Sequence, residues 1–349
     1  MDPVCLRYVR TWLELPVNAC LKEVLSLPRN RAGLGIGSHK SLAEKMRLQK
    51  RHSLKSSCSD DVRSMWSETS VLHVETDSSL MEHKTLQLAK SAHGNAHRNN
   101  NIAHVLGLKQ QDFAFKSVLD SISLKEINTW SDMLDSTSAH IFSFARKALL
   151  QVLPTAANLA RWKRLADPQC VLCASGKPQT NRHVLSNCSS PIALKRYAGR
   201  HNDALRLLVG WLKSVLSKSQ TLYANLDDVQ VSPVRDLFND LRPDIVVGDA
   251  MSITTWELTV CHELNLQKSK IYKSNKYIDL VNHRTHLAAN KLITSYTIEI
   301  STLGFISDTN GFCKAINISA VPVTLKKSLM NSVINSSFSI YCKRNCNVD

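Results

Sequence analysis

Apolar residues recur at three- and four-residue intervals in several stretches of the chain, which is the spacing of an amphipathic helix. Near the start, Val4 to Leu15 and Ala19 to Leu27 have this spacing, and a proline follows each stretch and ends it. The same pattern runs from Ile122 to Leu149 and from Asn202 to Ser219. It predicts a mostly helical region ahead of residue 170 and a further amphipathic helix after residue 200.

Beyond residue 242 the pattern changes to short apolar runs that are typical of strands. Asp244 to Val247 predicts a buried strand, and Ile253 to Val260 is rich in β-branched residues, with turn-forming residues between the two runs. These runs predict a hairpin. A long helix from Leu266 to Leu292 and a last strand from Thr297 to Leu303 follow. The order of elements predicts an α/β (α+β) fold in which helices flank a mixed sheet.

Changes in composition along the chain suggest where its parts begin and end. Residues 49–101 are polar, with little periodicity, which predicts a loosely ordered connector. The glycine run Gly33–Gly37 has no strand before it and lacks the spacing of a dinucleotide-binding loop; we expect a loop that docks on a neighbouring domain. The expected parts are a helical region 1–48, a polar connector 49–120, a helical linker 121–169, a cysteine-rich knuckle 170–190, the sheet domain 200–305 and a carboxy-terminal extension 306–349.

The charge balance narrows the classes of partner. The 349 residues include 44 Lys and Arg against 29 Asp and Glu, for a net charge of +15 and a pI near 9.4. This excess indicates a polyanionic partner, nucleic acid before a membrane surface. No apolar run reaches 18 residues and the first residues lack a secretory signal, so we expect neither a membrane span nor a disulfide framework. The clustered cysteines among the ten are then better explained as metal ligands.

Three of these cysteines and one histidine follow one another at a spacing typical of zinc ligands. Cys170 and Cys173 are separated by two residues, His183 follows after nine more, and Cys188 after another four. Two cysteines in a tight turn and a His–Cys pair on a short turn or helix can complete a tetrahedron around zinc. Such a site has only protein ligands, so it would be structural. The alternative is four unrelated buried residues.

Two acidic residues and a set of lysines suggest a second kind of metal site. Asp244 lies at the start of the first predicted strand, and Glu257 lies thirteen residues later in the second. If the strands pair as a hairpin, the two carboxylates come close together, an arrangement that a divalent cation such as Mg²⁺ stabilises. The helix that follows carries Lys268, Lys270, Lys273 and Lys276, a basic face suited to a phosphate backbone. Taken singly, each acid and each lysine could equally be a solvated surface residue.

Other basic residues ahead of the sheet domain are candidate nucleic-acid contacts. Arg161, Lys163 and Arg164 surround Trp162, which could stack on a base, although a tryptophan is more often simply packed. Arg200 and His201 precede the helix at 202–219 and could contact DNA or only cap a turn.

Together these motifs resemble the restriction-like endonuclease of non-LTR retrotransposon proteins, the group that includes elements inserting site-specifically into ribosomal RNA genes. The resemblance lies in Arg242-Pro243-Asp244, in Glu257 and in the helical sequence Lys273-Ser274-Asn275-Lys276-Tyr277. The cysteine-rich knuckle just upstream and the Arg200-His201 pair are similar to features of the same family, although the middle loop of the knuckle is slightly longer than usual.

The resemblance implies a PD-(D/E)xK nuclease fold and a metal-dependent DNA endonuclease. Asp244 and Glu257 would hold Mg²⁺ or Mn²⁺, and Lys273, supported by Lys276, would stabilise charge on the scissile phosphate. The wider superfamily places its lysine two residues after the second acid, where this chain has Thr259; the retrotransposon branch moves it into the next helix. In that family the domain nicks target DNA in the nucleus to prime reverse transcription, so the expected partners are DNA and element RNA.

Residues 1–48 weakly resemble the thumb that ends a reverse transcriptase, but the polymerase palm is missing, because no aromatic-x-Asp-Asp sequence occurs. No reverse transcriptase activity and no small-molecule substrate are therefore expected. One alternative to the nuclease is a zinc-knuckle nucleic-acid-binding protein whose catalytic site has decayed. Another is a structural or interaction protein in which zinc only stabilises the fold.

Overall fold

The computed structural model divides the chain into two compact units, Met1–Asp112 and Phe113–Asp349. Among the described residues, no helix is both long and apolar enough to cross a membrane. The structure describes residues 3–16, 22–37, 39–68, 95, 99–100, 102–104, 106–107, 112–173, 175–226, 235–238, 241–283, 288, 291–307 and 309–347.

The described part of the first unit consists of helices and a glycine-rich loop. The helices are α1 (Pro3–Trp12), α2 (Lys22–Ser26), α3 (His39–Lys55) and α4 (Asp60–Glu68). The loop returns along α2, since the N–H groups of Gly35 and Ile36 donate to the carbonyls of Leu27 and Leu25. These hydrogen bonds hold the loop against its own unit, and its docking on a neighbouring domain stays a prediction. The loosely ordered connector predicted at 49–120 is partly wrong, because α3 and α4 continue to Glu68 and residues 112–120 are helical; residues 69–94 of the connector lie outside the described residues.

The second unit begins with a helical linker. Its helices are α5 (Asp112–Ser121), α6 (Leu124–Asp135), α7 (Ala139–Leu149) and α8 (Ala156–Arg161). The single helical stretch expected at 122–149 is broken, because Ser138 caps α7 by accepting a hydrogen bond from the N–H of Ile141. The indole of Trp130 in α6 donates to the carbonyl of Leu303 at 2.6 Å and stacks on Phe305. The linker is thereby joined to the segment after the last strand.

Four strands in the described part of this unit form one mixed sheet in the order β1-β2-β3-β4. The hairpin prediction is confirmed, because β2 and β3 pair antiparallel; β1 is also antiparallel to β2, whereas β4 is parallel to β3. The last strand is longer than predicted and starts five residues earlier. The strands are β1 (Thr221–Ala224), β2 (Ile245–Gly248), β3 (Ser252–Cys261) and β4 (Leu292–Ser301).

Helices lie on both faces of this sheet. Trp256 of β3 packs against Phe312, which also stacks on Trp211, so one face is covered by the helices that carry these two residues. On the other face, Tyr277, Phe238 and Leu280 belong to a hydrophobic cluster with Val246 and Ile253 of the strands. The helices concerned are α9 (Pro191–Val215), α10 (Arg235–Phe238), α11 (Leu266–Lys276), α12 (Ile278–His283) and α13 (Asn310–Ala315).

Two of these helices differ from their predicted lengths. The helix expected at 202–219 starts earlier, at Pro191, where Ser190 accepts a hydrogen bond from the N–H of Ala193 and caps it. The long helix expected over 266–292 ends at Lys276 and resumes as α12 after Tyr277. This break turns the buried Tyr277 towards the sheet.

The carboxy-terminal segment, expected as an extension, is part of the core of the second unit. Its helix α14 (Val323–Cys342) buries Leu329, Met330, Val333 and Ile334 among its apolar residues. Lys326 of α14 donates to Glu126 of α6 in a buried ion pair. Gly304 has φ +87° and a side chain there would lie 2.8 Å from the carbonyl of Met330, so the loop after β4 packs closely on α14.

Candidate functional site

The two predicted acids face each other across the β2–β3 hairpin. Ile245 pairs with Trp256 in the antiparallel ladder, so the next positions outward on the two strands are Asp244 and Glu257. The N–H of Leu258 donates to Oδ2 of Asp244 at 2.8 Å and fixes that carboxylate beside β3. Both acids are buried, and Glu257 is only 1% exposed. Such a pair of buried carboxylates is stable only with compensating positive charge or hydrogen-bond donors.

The donors to Glu257 come from the end of α11. Lys273 Nζ donates to Glu257 Oε2, and Lys276 Nζ lies 3.7 Å from Oε1. The hydroxyl of Tyr277 also donates to Oε1. Burial, reinforced by the Glu257 carboxylate, raises the pKa of Tyr277, so its hydroxyl stays protonated as a donor. The structure thus places Lys273 and Lys276 at Glu257, the neighbour of Asp244 across the hairpin; the catalytic and metal-binding roles of the four residues stay predictions.

Tyr277 was not predicted as a site residue, although the sequence holds a signal for it. It directly follows Lys276 and is buried at the turn between α11 and α12. An aromatic residue next to two site lysines, at the expected edge of the core, is a reasonable candidate for a buried donor. Its direction depends on the helix break at residue 277, which the helical pattern did not show.

His201 contacts Asp244, the other acid of the pair. Its Nε2 is 3.1 Å from the carbonyl oxygen of Leu258 and 3.4 Å from Oδ2 of Asp244. A carbonyl oxygen only accepts, so Nε2 carries a proton. Burial lowers the pKa of His201, but the hydrogen bond and negative charge of Asp244 outweigh it and leave that pKa raised. The structure therefore places His201 at the acid pair, where its partners are Asp244 and Leu258.

Arg200, the neighbour of His201, is not available to nucleic acid, and this prediction is wrong. Its side chain is 2% exposed, and its Nη1 donates to Ser337 Oγ of α14 at 3.0 Å. Its guanidinium also lies over the ring of Tyr197, at 5.4 Å from the ring centre. Arg200 joins α9 to α14, a structural role that could not be seen without knowing that α14 returns to this helix.

Thr259, at the position where the wider nuclease superfamily places its lysine, is half-buried, and its hydroxyl oxygen has no hydrogen-bond partner among the described residues. It lies on the same strand as Glu257 and contributes no charge. The positive charge near Glu257 is supplied from α11.

The remaining basic candidates lie at the surface. Lys268 and Lys270 of α11 are exposed, as are Arg161, Lys163 and Arg164 at the end of α8. Trp162 is half-buried, with the Arg161 guanidinium 5.9 Å from its ring centre. All five charged side chains are accessible to a phosphate backbone, and their role in binding stays a prediction.

The four candidate zinc ligands converge on one point. Their ligand atoms all lie within 4.8 Å of one another. Cys170 Sγ is 3.9 Å from Cys188 Sγ, and Cys173 Sγ is 3.3 Å from His183 Nε2. A tetrahedron with Zn–S bonds of about 2.3 Å has S–S edges of roughly 3.8 Å. The three thiols and one imidazole can therefore hold a single zinc ion.

Local backbone contacts explain why these residues meet. The N–H of Cys170 donates to the carbonyl of Lys177, which closes a small hairpin whose turn includes Gly176 at φ +62°. His183 begins a short π-helix, His183–Asn187, directly before Cys188. The Tyr197 hydroxyl of α9 donates to the carbonyl of Val184 at 2.7 Å and accepts from the N–H of Cys188 at 3.2 Å. The knuckle is thus tied to the helix that carries His201.

Comparison of the chain with known protein families and with curated proteins found no match.

Proposed function

We propose that this chain is a metal-dependent DNA endonuclease with a restriction-endonuclease-like PD-(D/E)xK core. The observation that carries the proposal is the ion pair of Lys273 with Glu257, the acid that neighbours Asp244 across the β2–β3 hairpin. Paired carboxylates can hold a divalent cation, and lysines of a nearby helix can offset charge on the phosphate. Metal-dependent hydrolysis of a phosphodiester uses both. The resemblance to non-LTR retrotransposon proteins suggests nicking of a chromosomal target in the nucleus, with element RNA as a further partner.

Asp244 and Glu257 are the residues that would hold Mg²⁺ or Mn²⁺. Their carboxylate oxygens are the hard donors that these ions prefer. Among the described residues, the side-chain contacts of Asp244 are made by Oδ2, so Oδ1 could bind a cation. When bound, the ion would supply Lewis-acid activation of the phosphate and of the attacking water.

The other site residues would offset charge, orient the carboxylates or stabilise the fold. Lys273 and Lys276 neutralise Glu257 in the present structure and would offset the negative charge that builds up on the phosphate. Tyr277 and His201 orient the two carboxylates by hydrogen bonding. The zinc in the Cys170–Cys188 knuckle would fix the start of α9, and with it His201, without taking part in the chemistry.

A nicking assay on supercoiled plasmid tests this proposal. With Mg²⁺ or Mn²⁺, the zinc-loaded chain should convert supercoiled DNA to the nicked form, and Asp244→Asn should lower the rate at least about 100-fold. Asp132→Asn, which removes an exposed carboxylate on α6, is the matched control and should cut at the wild-type rate. A wild-type chain that never cuts, or an Asp244→Asn chain that cuts equally well, contradicts the proposal.

A second candidate is a nucleic-acid-binding protein with a decayed catalytic site. It is favoured by the contacts of Glu257, because both of its carboxylate oxygens already accept hydrogen bonds, from Lys273 and from Tyr277. Such a protein would bind DNA with a steep salt dependence, and wild type would show no cleavage in the plasmid assay.

A further inference from the structure

Helix α11 has a basic face that contains one large exposed aromatic residue. The helix carries four lysines and no acidic residue between Leu266 and Lys276. The nearest preceding acid, Glu263, is buried and accepts hydrogen bonds from Thr302 and the N–H of Leu303. The exposed face of α11 is therefore complementary in charge to a polyanion.

Tyr272 lies in the middle of this face. It is one helical turn after Lys268 and one turn before Lys276, so the three side chains share one stripe of the helix. Lys268 is exposed, whereas Lys276 reaches to within 3.7 Å of Glu257. The stripe leads from the protein surface to the acid pair, and Tyr272, 69% exposed, lies halfway along it.

The length of the stripe matches a short piece of nucleic acid. Eight residues from Lys268 to Lys276 cover about 12 Å along the helix axis. Stacked nucleotides are spaced about 3.4 Å apart along one strand, so the stripe spans roughly three to four of them. A phosphate at Lys276 and a second at Lys268 would leave the ring of Tyr272 beside the intervening bases. Aromatic side chains between cationic ones are typical of single-strand binding.

We propose that Tyr272 stacks on an unpaired DNA base next to the phosphate that is cut, and so positions the strand at the acid pair. The inference rests on the proposed nuclease, because Glu257 and Lys276 define which phosphate is nearby. A tyrosine exposes a large flat ring at a small cost in conformational entropy, which suits stacking on a base of any sequence. Tyr272 thus selects locally melted or single-stranded DNA over a closed duplex.

Fluorescence of 2-aminopurine placed singly along a short single-stranded DNA tests this proposal in the full-length, zinc-loaded chain without Mg²⁺. Wild type should quench the fluorescence at one or two adjacent positions. Tyr272→Ala should abolish that quenching and weaken binding about 5- to 150-fold, the range measured for the loss of one stacked base. Tyr272→Trp should retain both.

Two control variants separate stacking from other contacts. Ile271→Ala shortens the neighbouring side chain, which is 51% exposed and not aromatic, and should leave affinity within about twofold of wild type. Lys268→Ala should reduce the salt dependence of binding and leave the quenching unchanged. An Ile271→Ala chain that loses as much affinity as Tyr272→Ala would indicate a general apolar contact, as in a protein interface, and overturn the proposal.

The assay needs no cleavage, so its result is separate from that of the plasmid assay. If wild type nicks DNA but Tyr272→Ala binds and quenches like wild type, the stacking proposal is wrong and the nuclease stands. If Tyr272-dependent quenching occurs in a chain that never nicks, Tyr272 stacks on DNA as proposed, but the nuclease is wrong and the placement of the base next to a cut phosphate falls with it.

Discussion

Glu257 shows at the residue scale how the site is stabilised. A buried carboxylate costs several kcal/mol unless donors or positive charge compensate it. Glu257 has both, from the ammonium group of Lys273 and the hydroxyl of Tyr277. In the proposed mechanism, the same contact would hold the lysine close to the scissile phosphate.

Lys273→Ala should separate metal binding from chemistry. The ammonium group occupies Oε2 of Glu257, so its removal should leave Mn²⁺ affinity equal or higher, because a competing cation is gone. The nicking rate should fall at least about 100-fold, because charge on the phosphate is no longer offset. Plasmid nicking and Mn²⁺ titration measure the two effects, with Lys125→Ala, an exposed lysine on α6, as the control. Full nicking activity in Lys273→Ala would show that this lysine has no part in the reaction.

Tyr277→Phe should destabilise the second unit by about 1.5–3 kcal/mol, the usual range for a hydrogen bond to a charged group. The hydroxyl donates to Oε1 of a carboxylate that is almost inaccessible to water. Urea unfolding measures the loss. Tyr272→Phe removes an exposed hydroxyl on the preceding helix and should change stability by less than about 0.5 kcal/mol. Equal stabilities for the two variants would mean that the Tyr277 contact contributes nothing.

The sequence predicted which site residues are neighbours only where the pairing of two strands determines it. Asp244 and Glu257 follow from the hairpin, because a short turn sets which positions face each other. Lys273 was singled out among the four lysines of the helix by the resemblance to the retrotransposon nucleases, because helical spacing alone did not distinguish it. Arg200 and His201 are adjacent, yet one joins α9 to α14 and the other contacts Asp244. The sequence does not show that α14 packs on α9, so the two roles could not be told apart.

At the scale of elements, the knuckle contacts both α9 and the segment after α14, and these two also contact each other. Tyr197 ties it to α9, and Arg196 of α9 donates to the carbonyls of Lys343 and Cys346 after α14. Gln179 within the knuckle region donates to Asn345 at 2.9 Å. A metal ion in the knuckle would therefore stabilise the contact between these elements as well as its own short loops.

Removing zinc should destabilise the second unit as a whole. We expect about one zinc per purified chain, and Cys173→Ser should lose the metal and lower the melting temperature by roughly 5–15 °C. Elemental analysis and thermal unfolding measure both quantities. Cys58→Ser, at an exposed free cysteine of the first unit, should change neither. A wild-type chain without zinc, or a Cys173→Ser chain that retains zinc and its melting temperature, would contradict the assignment.

The helices were predicted in type more reliably than in length. Periodicity identified α9 and the helical linker, but the break between α6 and α7 depends on the capping serine at 138, and the break after α11 on the burial of Tyr277. Helix α14 was not assigned. It mixes Ser and Asn with apolar residues, and its buried polar residues, such as Lys326 and Ser337, find partners only in α6 and α9. Pairs between residues that are far apart in the sequence cannot be recognised from the residues of one helix.

At the scale of the whole molecule, the net charge of +15 and the arrangement of the second unit both favour a polyanionic partner. The exposed lysines of α11 lie on the helix that also supplies Lys273 and Lys276 to the acid pair. Long-range attraction of a polyanion would therefore bring it towards the proposed catalytic residues. The mixed sheet and its flanking helices were predictable from the order of elements, whereas the inclusion of α14 in the core was not.

The proposed mechanism requires Asp244 and Glu257 together to hold one divalent cation. Electron paramagnetic resonance of Mn²⁺ titrated into the zinc-loaded chain measures this binding, because bound and free Mn²⁺ give different signals. We expect one Mn²⁺ bound per chain in wild type and in Asp132→Asn, and none at this site in Asp244→Asn or Glu257→Gln. Equal Mn²⁺ binding by wild type and both site variants, or no binding by wild type, would contradict the proposed mechanism.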